Sequence, residues 1–573
     1  MLVLGIHMEH DAAAALVKDG EILVAISQER LTKIKKDPAF HPDHLINYVL
    51  DATGYSIYDI DHVAISTFMP NKGVRMFAKN SNVNCLHNPK TLEILDRGHF
   101  LNFPWINDEY TEEREEKYYA VVDVEIWGVR MPGSMVSHHI AHGAAAFYTS
   151  KFEEAAIFSL DASAVSTFTP EASSLFMYGK GNRIFKLYSP GCMMGFTYNV
   201  FPIFIGMGPG VYKAGSFMGL SSYGKVLPQA YKFEKEFTAP YWETTLAKRS
   251  YEEHVKWQWM MLSGKPPIDL FDAAQVDSQD AMDIAASIQY LYEKAVHGML
   301  DRLYEETEHI NSGNLCLSGG SFLNCASNGK YVQQTEKWND VHIMPASGDD
   351  GTALGAALYM THSVFGIPRI LHDRTTYMYM GQDYIVPDFV EWRKSEKLDY
   401  VKLARYIKDG KVVAWYNGRS EFGPRALGNR SFLASPLLSH MRDHINFNVK
   451  GREWFRPFAP MVVAEKASEW FELDHESPFM LEAVKVLEEK ADQIPAVVHV
   501  DGTSRVQTVS QKDNAKIYKL LKAFEKETGV PILLNTSLNL AGEPLVETPQ
   551  DAFSLFTRGN VDILVIGEKM YLK

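Results

Sequence analysis

The chain has 573 residues, which at about 150 residues per domain calls for two to four domains. Apolar residues make up 46% and charged residues 22%, enough for packed cores and without the signature of global disorder. Lys and Arg number 57 against 71 Asp and Glu, a formal charge of −14. That balance excludes a surface built throughout for nucleic-acid phosphates and leaves room only for a local basic patch.

From the first residue, the segment MLVLGIHMEHD reaches a histidine and two acids before a signal-peptide apolar region can develop. No uninterrupted apolar stretch of about 18 residues follows, so neither export nor membrane spanning is expected. Cys85, Cys192, Cys316 and Cys325 are too few and too irregularly spaced for a disulfide framework or a CxxC knuckle, which fits a cytoplasmic protein. In chain order, residues 1–7 predict a strand, His10-Asp11 a polar corner, 12–17 a strand, Lys18-Asp19-Gly20 a turn and 21–26 a returning strand. Helical spacing covers 137–148. A copy of the strand, corner and hairpin follows at 156–160, Asp161-Ala162-Ser163, 174–178, 179–182 and 183–188. Two such units about 150 residues apart predict a duplicated α/β domain with a cleft between its halves. A long helix is expected over 281–305. Gly and Pro interrupt the pattern from 366, and a fresh helix and strand begin at 401–407 and 412–416. These marks divide the chain into a first domain, 1–365, a linker, 366–395, and a second domain, 396–573.

Four constellations carry chemistry. On a helix, His138 and His142 are one turn apart and present both imidazoles on one face, as a divalent metal requires of two nitrogen ligands; the plainer reading is a polar helix start with one buried histidine. Asp161, after the strand AAIFSL, and Asp349, in PASGDDGTALGAA, stand where carboxylates would complete such a centre, or where they would merely cap turns. Glycine-rich stretches at 206–224 and at Ser318-Gly319-Gly320, the latter after a strand and before Asn324, suit backbone contacts to phosphate, although neither is a Walker or GxGxxG fingerprint. Residues 421–460 hold Arg425, Arg430, Arg442, Lys450, Arg452 and Arg456 among Trp454, Phe455 and Phe458, a composition for a walled anion pocket. The same interleaving also occurs in single-strand nucleic-acid grooves. Asn535-Thr536-Ser537 at a strand end adds short hydrogen-bonding side chains.

HDAAAAL, HHIAH, Asp161, LSGGSFLN, GDDGTALGAA, GPRALGNRS, HINFNVKGREWFRPFAP and LLNTSLN together resemble, in order and spacing, the NodU/CmcH family of O-carbamoyltransferases. The resemblance runs over essentially the whole chain, and its most specific part is the arginine-rich block. It implies an actin-like ATPase (ASKHA) first domain, similar to threonylcarbamoyl transferases, and a YrdC-like second domain that forms carbamoyl-AMP from ATP and carbamoyl phosphate. It implies that His138, His142, Asp161 and Asp349 hold a divalent metal, with Fe²⁺ expected ahead of Mg²⁺ or Mn²⁺, and that Gly319, Gly320 and Asn324 line the nucleotide. His10 would take the proton of the acceptor hydroxyl, and Lys35 would balance developing charge. Arg425, Lys450, Arg456 and Ser537, with Arg430, Asn535 and Thr536 nearby, would bind carbamoyl phosphate. Ala162-Ser163-Ala164 and Ser216 depart from the family pattern at the nucleotide turns. The acceptor is expected to be a hydroxyl of an antibiotic-like small molecule or nucleoside. A 5-hydroxymethylcytosine of DNA is the rival, for which Lys72, Arg75 and Lys79 would supply contacts. A non-catalytic ATP-binding regulator is the reading from another class, and a homodimer is compatible with any of these.

Overall fold

The structure is a computed structural model that describes residues 1–37, 39–67, 73–78, 118–162, 173–239, 251–264, 276–310, 312–389, 392 and 394–573. The chain forms two compact units. The first comprises 1–28, 36–323 and 335–374, and the second 29–35, 324–334 and 375–573, so two short segments that interrupt the first unit in sequence fold with the carboxy-terminal one.

The first unit is built on two sheets. One contains β1 (Leu2–His7), β2 (Ala13–Lys18), β3 (Glu21–Ser27), β4 (His62–Thr67), β5 (Val74–Ala78), β6 (Tyr119–Ile126) and β7 (Val129–Val136), ordered β3-β2-β1-β4-β7-β6-β5. The other contains β8 (Glu154–Leu160), β9 (Ser174–Lys180), β10 (Arg183–Tyr188), β11 (Asn314–Ser318) and β12 (Asp340–Ile343), ordered β10-β9-β8-β11-β12. In each, the first strand pairs antiparallel with the next and parallel with the fourth, so both sheets share the order 3-2-1-4, continued by β7-β6-β5 in one and by β12 in the other. The duplicated α/β plan expected from the two hairpin copies is therefore present. The helix His138–Thr149 packs on β8 and β11, and the helix Asp350–Tyr359 packs on β1 and β2 and against the first helix. Both are rich in Ala and Gly, small residues that allow their backbones to approach closely. Among the described residues no helix is long and apolar enough to cross a membrane.

The second unit centres on one mixed sheet. Its strands are β13 (Ser395–Lys397), β14 (Val413–Tyr416), β15 (Arg430–Ala434), β16 (Ala459–Val463), β19 (Gln507–Val509), β20 (Ile532–Ser537), β21 (Ile563–Ile566) and β22 (Lys569–Leu572), ordered β13-β22-β21-β14-β15-β20-β16-β19. A separate ribbon pairs β17 (Ala483–Lys485) with β18 (Thr503–Arg505). Strand alternation sends Val413 and Trp415 to one core with Leu403, Ile407, Leu521 and Phe524, whereas Ala414 and Tyr416 join a second core with Phe432, Leu534 and Leu555. Helices cover both faces, so the sheet is buried on each side and the loops at its strand ends carry the polar chemistry.

Candidate active site

In the first unit, four side chains converge. His138 and His142 lie on one face of their helix, Asp161 follows the end of β8, and Asp349 immediately precedes the helix Asp350–Tyr359. The Nε2 atoms of the two imidazoles are 3.1 Å apart. Each faces Asp161 Oδ2, at 3.6 Å from His138 and 3.4 Å from His142, and each faces Asp349 Oδ1 at the same 3.6 and 3.4 Å. Donors about 2.1 Å from a common ion stand roughly 3.0–3.4 Å apart in octahedral or tetrahedral arrangement, so this mixed nitrogen and oxygen set fits a transition-type divalent cation. The orientation is fixed from behind: Ser318 Oγ at the end of β11 meets His142 Nδ1 at 3.3 Å, and Thr67 Oγ1 at the end of β4 meets His138 Nδ1 at 3.4 Å. Burial opposes protonation of His142, but Asp161 and Asp349 outweigh it and push its pKa up to about 9. Burial likewise disfavours ionised Asp161, yet the two histidines hold its carboxyl well below the usual range. Asp349 is raised, by burial and by the charge of Asp161.

Asp349 turns its other oxygen toward β1 and the corner after it. Oδ2 lies 3.8 Å from His10 Nδ1 and 4.0 Å from His7 Nε2. His10 also faces Asp11 Oδ2 at 3.6 Å. Its burial disfavours the cation, but the nearby carboxylates of Asp11 and Asp349 win and raise its pKa to about 10. Neighbouring His139 takes no part, since its Nδ1 is engaged by Ser159 Oγ at 2.8 Å.

Gly319 and Gly320 form the turn after β11. Gly319 has φ +103° and a Cβ there would lie 2.1 Å from the Leu160 carbonyl oxygen, so only glycine fits. A Cβ on Gly320 would come within 3.0 Å of Asp161 Oδ1, which places this turn beside the four-donor centre. Asn324 begins the segment that folds with the second unit, and its Oδ1 accepts from Ser327 N at 3.1 Å as a helix cap. The stretch 206–224 is not the phosphate turn its glycines suggested: Gly210–Ser221 is a helix. Its glycines serve packing, since a Cβ on Gly210 would sit 1.9 Å from the Asn199 carbonyl oxygen of the preceding helix. Ser216 is buried on that helix. Ser163 and Ala164 lie outside the described residues.

The second unit gathers the cations. Glu421 Oε1 accepts from the backbone of Leu427, Asn429 and Arg430 at 2.7, 2.9 and 3.2 Å and so shapes the loop that carries Arg425. Asn446 braces the next loop through its amide, which donates to the Arg456 carbonyl at 3.0 Å, and through Oδ1, which accepts from Arg452 Nε at 2.7 Å. The Arg452 guanidinium lies 4.6 Å from the Phe458 ring centre. Burial and the mutual repulsion of these groups all act in one direction. Arg425 is lowered to about 9 by burial and then by Arg505, and Arg452 falls well below its usual range through burial, Arg456 and Arg505. Lys450 is lowered strongly by burial, then by Arg452, Arg456 and Lys35. Its Nζ donates to the Ser537 carbonyl at 2.6 Å, Ser537 Oγ at 2.9 Å and Asn539 Oδ1 at 2.9 Å.

Two expected ligands of this pocket are otherwise engaged, and a third is placed by its strand pairing. Arg430 donates to the carbonyls of Asn417, Gly418, Asn429 and Glu547 at 2.8–3.1 Å, so it ties the loop together and offers no fork to an anion. The Asn535 amide donates to Ala426 O and Gln507 Oε1, both at 3.0 Å. Thr536 stands opposite Phe432 in the sheet. Lys35, expected beside the transfer step, belongs to the second unit, where its charge bears on Lys450. Arg505 was not singled out in the sequence; it sits alone in SRVQTVS on β18, and only the fold brings its charge to Arg425, Arg452 and Arg456. His7 and Glu9 were passed over as strand and corner residues. Of the basic residues considered for DNA, Arg75 pairs with Glu125 at 3.2 Å, and Lys72 and Lys79 lie outside the described residues.

The family profile described as Carbamoyltransferase N-terminus matches residues 2–358, and that described as Carbamoyltransferase C-terminus matches 404–573. The chain belongs to the carbamoyltransferase family. Nodulation protein NolNO of Sinorhizobium fredii is 34% identical over 98% of this chain and 79% of its own length. An uncharacterized protein of Synechocystis is 33% identical over 97% of this chain and 94% of its own. The 3'-hydroxymethylcephem-O-carbamoyltransferase of Amycolatopsis lactamdurans is 36% identical over 48% of this chain and 52% of its own. The membership is that of the NodU/CmcH group, and by family the chain is a transferase.

Proposed function

We propose that the protein is an O-carbamoyltransferase that uses carbamoyl phosphate and ATP, through carbamoyl-AMP, to carbamoylate an alcohol. The observation that carries this reading is the pairing of a four-donor His/Asp centre in one unit with a buried, arginine-rich anion pocket in the other. The family and the named activity of the cephem relative support it.

In the second unit, Arg425, Arg452, Arg456, Arg505 and Lys450 receive the phosphate of carbamoyl phosphate. Arg425, Lys450, Arg452 and Arg456, each pushed down by burial and by cationic neighbours, are stabilised by a dianion, which makes the pocket electrostatically primed for one. This unit, in the manner of a YrdC-like domain, lets water cleave carbamoyl phosphate to carbamate and phosphate, and the carbamate oxygen then attacks the α-phosphorus of ATP to give carbamoyl-AMP and release pyrophosphate, while Gly319 and Gly320 present backbone to nucleotide phosphate in the first unit. His138, His142, Asp161 and Asp349 hold a divalent cation, which supplies charge stabilisation for the phosphate and carbamoyl oxygens when bound. His10 takes the proton of the attacking hydroxyl. It must be neutral to do so, and Asp349 is one of the two carboxylates that favour its cation. A cation held by Asp349 would weaken that support, leaving Asp11 as the carboxylate that orients the imidazole. The acceptor is a hydroxyl on a small molecule, a reading favoured over DNA by the formal charge of −14.

The test separates the half-reactions. Purified protein receives ATP, carbamoyl phosphate and Fe²⁺ or Mn²⁺ with a panel of hydroxyl acceptors that includes 5-hydroxymethylcytosine DNA. Pyrophosphate release and acceptor mass are both read. Arg456→Ala should lose carbamoyl-dependent pyrophosphate release, whereas His10→Ala should keep it and lose acceptor carbamoylation. Wild-type protein that never splits ATP in the presence of carbamoyl phosphate would refute the reading and favour a nucleotide-binding regulator. Equal loss of both half-reactions in His10→Ala would remove the role given to that histidine.

A further inference from the structure

We propose a second divalent-cation site, formed by His7, Glu9 and the outward oxygen of Asp349, so that Asp349 bridges a pair of ions. The inference extends the reading above, in which Asp349 already serves the four-donor centre. Oδ1 of that carboxylate faces His138 and His142, whereas Oδ2 faces His7 Nε2 at 4.0 Å. One donor atom each from His7, Glu9 and Asp349 falls within 4.8 Å of the other two. Donors on opposite sides of an ion with bonds of about 2.2 Å stand roughly 4.4 Å apart, so the cluster is of the right size.

The groups aimed into this space are unsatisfied in a way that packing alone does not explain. His7 is fully buried, and its Nδ1 is fixed by Ser66 Oγ at 3.1 Å and Thr352 Oγ1 at 3.0 Å, which turns Nε2 toward Asp349. Among the described residues that Nε2 has no hydrogen-bond partner, and neither has the buried Oε2 of Glu9. A buried ring nitrogen held from behind by hydroxyls with its other nitrogen bare is the arrangement of a metal ligand, and an orphaned buried carboxylate oxygen is costly unless something completes it. One imidazole and two carboxylates suit Mn²⁺ or Fe²⁺ better than a thiol-seeking metal. The two sites share one carboxylate, and the His7 and His138 rings are 6.2 Å apart centre to centre, compatible with the roughly 3.5–4 Å spacing of two-metal centres.

The experiment uses the full chain, stripped with chelator and titrated with Mn²⁺, and reads bound metal per chain by elemental analysis and spin coupling by EPR. Wild type should bind two equivalents with a coupled signal. Glu9→Gln should bind one with the uncoupled six-line signal, and His7→Gln should do the same, with the second variant available if the first fails to fold. Wild type binding one equivalent, kept by Glu9→Gln and lost by His142→Ala, overturns the second site and leaves the four-donor centre standing. No binding at all overturns both. Two equivalents in wild type that persist in both Glu9→Gln and His7→Gln place the extra ion elsewhere and also overturn it.

Discussion

Metal affinity of the four-donor centre should rise steeply with pH, and the structure sets how steeply. The cleanest background is Glu9→Gln, which on the proposal above keeps a single site. His142 must be neutral to ligate, but Asp161 and Asp349 raise its pKa to about 9 against the ordinary 6.5. A proton then competes with the ion over the whole range below 9. From pH 6.5 to 8.5 the neutral fraction of a group of pKa about 9 grows roughly 80-fold, close to 2.6 kcal/mol, whereas a group at 6.5 would gain only about twofold. Titration with Mn²⁺ in non-coordinating buffers should therefore show the apparent dissociation constant falling by at least fiftyfold across that window, with proton release. The metal-free chain runs the other way. A histidine whose folded pKa lies above its unfolded value stabilises fully below 6.5, and that contribution disappears as pH climbs through 9. Chelated protein should lose this part of its stability over the window in which the metal-bound form gains. An affinity that changes less than threefold between pH 6.5 and 8.5 would refute the coupling of His142 to the two carboxylates.

Binding of carbamoyl phosphate or inorganic phosphate should raise the proton affinity of Lys450, which burial and cationic neighbours hold well below its usual range until an anion arrives, so proton uptake on binding should grow as pH rises. Calorimetry in buffers of different ionisation enthalpy measures it, and a buffer-independent heat would contradict the expectation. Gly319→Ala combines a φ of +103° with a contact of 2.1 Å to a carbonyl oxygen, so urea unfolding should show a loss of about 2–4 kcal/mol; a change under 0.5 kcal/mol would mean that the turn relaxes. His475 contacts Glu482 at 2.7 Å and Asp474 at 3.0 Å; these partners outweigh its burial and raise it to about 9. Its stabilisation, on the order of 1 kcal/mol after solvent screening, should be present below pH 6.5 and vanish as pH passes 9, so the melting-temperature gap between wild type and His475→Gln should close over that range.

What was legible in the sequence follows from the range over which each feature is encoded. The His138/His142 pair was readable because one helical turn is a local property, and the two hairpin copies were readable because alternation and Asp-Gly turns act within a few residues. The arginine pocket was half readable. Arg425, Lys450, Arg452 and Arg456 cluster in sequence, but residue type does not say what a guanidinium donates to, and Arg430, in the same block, is consumed by four carbonyls of its own loop. Arg505 and Lys35 reach the cluster only through the fold, one from a short ribbon and the other from a segment at 29–35 that leaves its own half of the chain. The glycines at 206–224 misled for the opposite reason: glycine marks close approach of any backbone, and here the partner is a neighbouring helix and not a phosphate.

Asp349 shows why the site is more than its motifs. Read locally, GDDG offers two equivalent acids before a helix. The fold separates them: Asp350 accepts from Ser27 Oγ at 2.8 Å and from Gly351 N at 3.1 Å, bonds that fasten the helix start, whereas Asp349 faces four imidazoles, from a helix, a strand and the corner after that strand. Its charge enters the titration of His142, Glu9 and His10 alike. Neutralising that one carboxylate, as in Asp349→Asn, should thus weaken metal binding and lower the His10 pKa from about 10 in the same protein. NMR titration of the His10 ring in the chelated variant tests the second effect apart from the first, and an unshifted His10 would show that Asp11 alone sets it.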